Sequence, residues 1–311
     1  MNQRNPPEKG KDAPEGKQDP KPERLQKIMA TAGLGSRRAL ERQIGNGEIQ
    51  INDGVAKLGQ TASAGDRISH ADAEWKVIVT GSKQRSLVYN KPTGEVTTRS
   101  DPQGRPTVFD NLPNIEGARW IAVGRLDINT SGLLLMTTDG ELANAMMHPS
   151  NKVDREYACR IFGEVDADKL ARLEEGVMLD DGPAQFSDIV GAGGDEGNHW
   201  YHVTILEGRN REVRRLWASQ DVTVSRLKRV RYGAVFLPKR LRMGDWSELT
   251  IKDHKILRED VGLGPLPVQL GLKPEKGHRD SDKRQRYKRK GSGKKSTRYK
   301  NVDRQNPSNK R

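Results

Sequence analysis

A single cysteine, Cys159, stands in a chain of 311 residues. One thiol cannot close an intrachain disulfide or supply the thiolate set of a structural zinc site. Aromatic residues are scarce too, at 5%, and no apolar run approaches the roughly 18 residues that a membrane-spanning helix needs. Such a helix is excluded. The opening Met1-Asn2-Gln3-Arg4-Asn5-Pro6-Pro7 lacks the apolar stretch that follows the basic end of a secretory signal, so the protein is expected in the cytoplasm. What the chain has in excess is positive charge, 55 Lys+Arg against 42 Asp+Glu, a formal +13. That balance points to a polyanion as partner, and the length allows two domains.

Nearly all of the excess lies at one end. Residues 273–311 hold 16 Lys+Arg and 4 Asp+Glu, with an almost solidly basic run at 283–290 and Tyr287 and Tyr299 interleaved. Almost no aliphatic side chain is present there to offset the entropy of ordering, so residues 263–311 are expected to be a disordered basic tail that contacts RNA. Residues 1–22 are equally poor in apolar groups, but their 5 basic and 4 acidic side chains nearly cancel. They read as a disordered leader.

Between these ends, residues 23–82 read as a small domain. Leu25, Ile28, Met29 and Ala32 recur at helical spacing, Gly33 and Gly35 interrupt, and Ser36 is placed to cap a second helix carrying Ala39, Leu40 and Ile44. Ile49-Gln50-Ile51-Asn52-Asp53-Gly54-Val55 alternates around a hairpin turn. Arg24, Lys27, Arg37, Arg38 and Arg42 fall on or beside the two helices and make a basic face. With Gly33, Ser36-Arg37-Arg38-Ala39, Gly47 and Ile51-Asn52, the segment resembles the S4 RNA-binding domain, which implies that these five side chains contact RNA.

From residue 83 to 262 the pattern becomes strands alternating with short helices and long loops. Leu87–Tyr89, Arg119–Val123, Leu133–Thr138, Glu156–Phe162 and Trp200–Glu207 are predicted strands. Asp139 is predicted to cap a helix that runs to His148, and another short helix covers Leu170–Glu175. The expected fold class is α+β with a mixed, mostly antiparallel sheet.

The stretch Gly124-Arg125-Leu126-Asp127-Ile128-Asn129-Thr130-Ser131-Gly132-Leu133 sets a carboxylate in a polar loop between apolar strands. Taken alone, Asp127 reads as a turn former that bonds its own backbone. In Arg155-Glu156-Tyr157-Ala158-Cys159-Arg160-Ile161, a period of two puts Tyr157, Cys159 and Ile161 on one face, the usual pattern of a core strand. Further on, Asn210 is placed to cap a helix on which Arg211, Arg214 and Arg215 share one face. The pair His199 and His202 and the acidic turn Asp180-Asp181-Gly182 lack the clustering that metal ligation requires.

Together, Lys91-Pro92-Thr93-Gly94, Gly124–Asp127 followed by Thr130–Leu133, and Glu207-Gly208-Arg209-Asn210-Arg211-Glu212-Val213-Arg214 resemble the pseudouridine synthases, in the branch that joins an S4 domain to an rRNA-modifying enzyme. The resemblance covers about residues 23–257. It implies that Asp127 is the catalytic carboxylate, that Arg214 pairs with it while Val213 packs in the pocket, and that Tyr157 stacks on a flipped uracil and takes the C5 proton. Arg125 would support the displaced strand or make a structural salt bridge, and Arg209, Arg211 and Arg215 would meet RNA phosphates. The chemistry breaks an N1–C1′ bond and makes a C5–C1′ bond, with no metal or cofactor required. Asp127 would either add to C1′ or remove the 2′ proton. Leu135-Met136-Thr137-Thr138-Asp139-Gly140 and the Asn210-Arg211-Glu212 variant look most like members acting on 23S rRNA, with a 16S substrate as the alternative. Free rRNA or a ribosome assembly intermediate would be the partner, and a monomer is the default. A non-catalytic assembly factor and a metal-dependent nuclease are the competing readings.

Overall fold

In the computed structural model, residues 20–276 are described except 82, 83, 116, 196 and 267. Most of the leader and the basic run 283–290 lie outside the described residues.

The N-terminal domain starts with helices Leu25–Thr31 and Arg37–Gly45. Ser36 caps the second, its Oγ accepting the Ala39 N–H at 3.1 Å. Strands Ile49–Ile51 and Gly54–Val55 form the predicted hairpin, and Asn52 (φ 48°) and Asp53 (φ 66°) both take the left-handed conformation that its two-residue turn demands. Arg67–His70 and Ala73–Thr80 extend the sheet, and Leu25, Ile28, Met29, Leu40, Ile44, Ile68, Trp75 and Val77 fill the core.

One boundary is corrected. The fifth strand of this sheet is Gln269–Lys276, paired antiparallel with Ala73–Thr80, and Leu270 is buried in the N-terminal core. The stretch assigned to the tail from residue 263 therefore includes a structural strand. Gly271, Lys273 and Pro274 hide it in the sequence, yet these residues suit an outer strand that needs hydrogen bonds on one side only.

The second domain is built on a nine-stranded mixed sheet. Its main path runs Asp188–Asp195, Asn198–Ile205, Arg155–Phe162, Thr223–Tyr232, Ser131–Thr137, Ser86–Lys91, Trp246–Glu248. All neighbours on this path are antiparallel except Thr223–Tyr232 beside Ser131–Thr137, where Lys228 pairs with Ser131 and Arg229 with Gly132. Every residue of Ser131–Thr137 is buried, because alternate side chains enter cores on opposite faces: Leu134 and Met136 on one, Leu133 and Leu135 on the other. The predicted strand at 119–123 shrinks to Ile121–Ala122.

Helix Gly140–Met147 begins as expected at Asp139, whose carboxylate accepts the Glu141 and Leu142 N–H groups. Helix Ile251–Asp260, which the sequence reading did not place, covers that cap. Its His254 and Arg258 both meet the Asp139 carboxylate. Burial alone would push the pKa of this carboxyl up, but bonds from His254, the Leu142 N–H and Arg258 hold it down at about 2. The two domains touch through Arg119 Nη1, which donates to Gly35 O at 2.9 Å, and through Lys27 and Glu141 at 3.4 Å.

Candidate active site

A cavity of about 470 Å³ is lined by residues of four separate segments, with Arg125, Asp127, Tyr157, Arg211, Val213 and Arg229 among them. The Asp127 loop turns because the Thr130 N–H donates to Asp127 O at 3.0 Å. The turn does not use the carboxylate. No hydrogen-bond donor among the described residues reaches it, and the nearest cation is Arg211 Nη1 at 3.9 Å. About a third exposed, the Asp127 side chain is an unengaged carboxylate on a fixed backbone.

What fixes that backbone is Lys91. Fully buried at the end of Ser86–Lys91, its Nζ donates to Pro92 O at 2.9 Å, Thr130 O at 3.0 Å and Asp127 O at 3.1 Å. Burial pulls its pKa down to about 8, against the upward pull of the Glu95 and Asp127 carboxylates. In the sequence, Lys91-Pro92-Thr93-Gly94 stands only as one of the motifs that carry the resemblance, with no role for the lysine. A lysine closing an otherwise apolar strand was the available signal. Lys91→Met leaves three loop carbonyls without this donor, so it should cost about 3 kcal/mol of stability, measured by urea unfolding, and lower kcat more than it raises KM.

Tyr157 lies where alternation puts it, beside Cys159 and Ile161 on the inner face of Arg155–Phe162, and its ring also lines the cavity. Burial raises the Cys159 thiol to about 12, so that thiol is part of the core. Val213, buried, lines the cavity as expected. Arg125 is exposed at the rim and makes no ion pair with a described residue, so the salt-bridge alternative for it is not what the fold builds.

Several expectations change. The helix is Glu212–Ala218, and its cap position is held by Arg211 in the left-handed region (φ 50°), not by Asn210. No side chain caps the helix, and the Glu212 Oε2 accepts the Arg209 N–H, which precedes it, at 2.9 Å. Arg214 does not bond the Asp127 carboxylate. Its Nη2 donates to Asn129 O at 3.0 Å and its Nη1 to Val224 O at 2.8 Å, so it braces the loop from outside the cavity lining while feeling the charge of Asp127. Arg215 forks onto Asp181 at 2.7 and 2.8 Å, and Arg209 is enclosed by Asp181, Glu207 and Glu212. Both guanidiniums are engaged by carboxylates, which removes them as free phosphate contacts. Lys27 is likewise shared between Glu23 and Glu141, whereas Arg24, Arg37, Arg38 and Arg42 are exposed.

Comparison with known proteins gives the family. Residues 23–68 match the S4 domain model and residues 85–219 match the RNA pseudouridylate synthase model. A Pseudomonas aeruginosa protein described as ribosomal large subunit pseudouridine synthase B is 54% identical over 280 residues, 88% of this chain and 72% of that protein. A Vibrio vulnificus protein of the same description is 53% identical over 271 residues, 86% of this chain and 84% of that protein. A crystal structure of a pseudouridylate synthase superposes with a TM-score of 0.52 at 27% identity, covering 75% of this chain and 99% of that one. With a freestanding carboxylate set beside a tyrosine in a basic cavity, and an S4 domain in front of it, the chain belongs to the RNA pseudouridylate synthases.

Proposed function

We propose that the protein isomerises a uridine of large-subunit rRNA to pseudouridine, with Asp127 as the group that acts on the ribose. The observation that carries the assignment of Asp127 is its position. Its backbone is pinned by Lys91 and by Arg214 through Asn129, while its carboxylate accepts nothing and faces the cavity. The large-subunit substrate is favoured by the descriptions of the relatives.

A uridine enters only when unstacked, at a cost of a few kcal/mol. Its uracil stacks on Tyr157 and its C1′ meets Asp127. The N1–C1′ bond breaks, the uracil turns, and C5 bonds to C1′. The proton then leaves C5 through the Tyr157 hydroxyl, which takes it as it passes its own to water, and N1 takes a proton from water, so the product is an isomer of the substrate. Arg214 steadies the loop, and Arg211 sets a positive charge 3.9 Å from the carboxylate. Arg125 supports the opened strand at the rim. Exposed Arg24, Arg37, Arg38 and Arg42, with the basic segment beyond residue 276, hold the phosphates around the target.

Tritium release from C5-labelled uridine, measured on separate large- and small-subunit rRNA transcripts, tests the reading. Release from the large-subunit transcript supports it, and release from the small-subunit transcript alone moves the substrate. Release from neither, nor from assembly intermediates, leaves a binding factor.

A further inference from the structure

Three buried polar atoms of cavity-lining residues have no hydrogen-bond partner among the described residues: Nη2 of Arg229, Oγ1 of Thr130 and Nε of Arg209. The Arg209 guanidinium is already enclosed by carboxylates, whereas Arg229 and Thr130 are each only 2% exposed. Arg229 lies opposite Tyr157 on one neighbouring strand and opposite Gly132 on the other. Directly opposed residues of an antiparallel pair project from the same face, so its side chain shares the cavity side with the Tyr157 ring. Its Nε donates to Leu133 O at 2.8 Å, and its guanidinium sits 4.9 Å from the centre of the Tyr232 ring, which Arg155 also approaches at 5.0 Å.

Neither of these arginines has a carboxylate within ion-pair distance among the described residues. Other arginines of the domain do: Arg209 has Asp181, Glu207 and Glu212, Arg215 has Asp181, Arg231 has Asp154 and Glu156, and Arg258 has Asp139. A buried guanidinium without a counter-charge is costly unless something else neutralises it. A uracil carbonyl would supply an acceptor but no charge. A phosphodiester supplies both, and arginine is suited to receive it through paired N–H donors.

We infer that the Arg229 end of the cavity, completed by the Thr130 hydroxyl, is an anion subsite that takes a phosphodiester oxygen of the RNA strand at the inserted nucleotide. The inference rests on the RNA-modifying function proposed above and adds to it a second anchoring point. Asp127 addresses the sugar, and Arg229 fixes the backbone from which that sugar hangs.

Calorimetric titration of the full chain with uridine, uridine 5′-monophosphate, uridine 3′-monophosphate and inorganic phosphate tests it, using wild type, Arg229→Gln and Arg229→Lys. In the wild type at least one monophosphate should bind about tenfold more tightly than uridine, the scale of one charge-assisted pair. Arg229→Gln should erase that advantage. Arg229→Lys, a point charge without the fork, should keep only part of it, and decides the matter if the Gln variant does not fold. Equal affinity for uridine and both monophosphates in wild type overturns the subsite, as does an advantage that survives unchanged in whichever variants fold. The two readings fail separately. Arg229-dependent phosphate binding without tritium release from any RNA would retain the subsite and remove the isomerase function, and release without phosphate discrimination would do the reverse.

Discussion

Asp127→Ala should reduce tritium release by a factor on the order of 10⁴ or more, the scale seen when an acting nucleophile or base is deleted. The fold should be unaffected, because the turn is closed by the Thr130 N–H and held by Lys91 through backbone carbonyls that alanine retains. RNA affinity should hold or rise slightly, since the change removes a negative charge from a cavity lined by five arginines. A turnover assay paired with filter binding separates the two quantities. Undiminished turnover would transfer the chemistry to another residue, and loss of binding in step with activity would make Asp127 a structural group.

The largest effect on stability belongs to Gly132→Ala. Gly132 takes φ +100° and faces the one parallel pairing in the main sheet, where an added Cβ would meet Arg229 O at 2.3 Å and Arg229 N at 2.9 Å. Those atoms are backbone and cannot step aside. The cost should be about 4 kcal/mol, combining a strained dihedral with overpacking. Gly65→Ala is the control, with φ +99° but nothing within 4 Å, and should lose only the dihedral part, about 1–2 kcal/mol. Urea denaturation midpoints decide between them, and equal losses at the two sites would show that the close approach to Arg229 costs nothing.

Features governed by neighbours in the chain were legible in the sequence. The Ser36 and Asp139 caps, the Asn52-Asp53 turn and the inward run Tyr157, Cys159, Ile161 each depend on residues a few positions apart, and each stands where the pattern puts it. Resemblance then gave Asp127 a role that its spacing alone did not. What escaped depends on contacts across the fold. Lys91 reaches Asp127 over 36 residues, and Asp181 claims Arg215 over 34, so neither the pin on the loop nor the loss of a free arginine was visible locally. The Asn210 cap failed for a nearer reason. Arg211, one residue later, takes the left-handed conformation, so the helix starts at Glu212 with no side-chain cap but with a charge that suits a helix start.

The outer strand Gln269–Lys276 also sets an order of events during synthesis. Thr80 and Gln269, bonded at 3.0 Å, are 189 residues apart. At about 5–20 residues per second the ribosome needs roughly ten to forty seconds to make the partner that Ala73–Thr80 awaits. For that interval the nascent N-terminal domain carries an open, partly apolar edge, the kind of surface that recruits the wrong strand. The strand that finally seals it presents Lys273 and Pro274 outward along the sheet, opposite Lys76 and Trp75, and so ends further pairing. Of these two domains, the earlier to leave the ribosome is thus the later to be completed, and its sheet is whole only once the catalytic domain has already been translated.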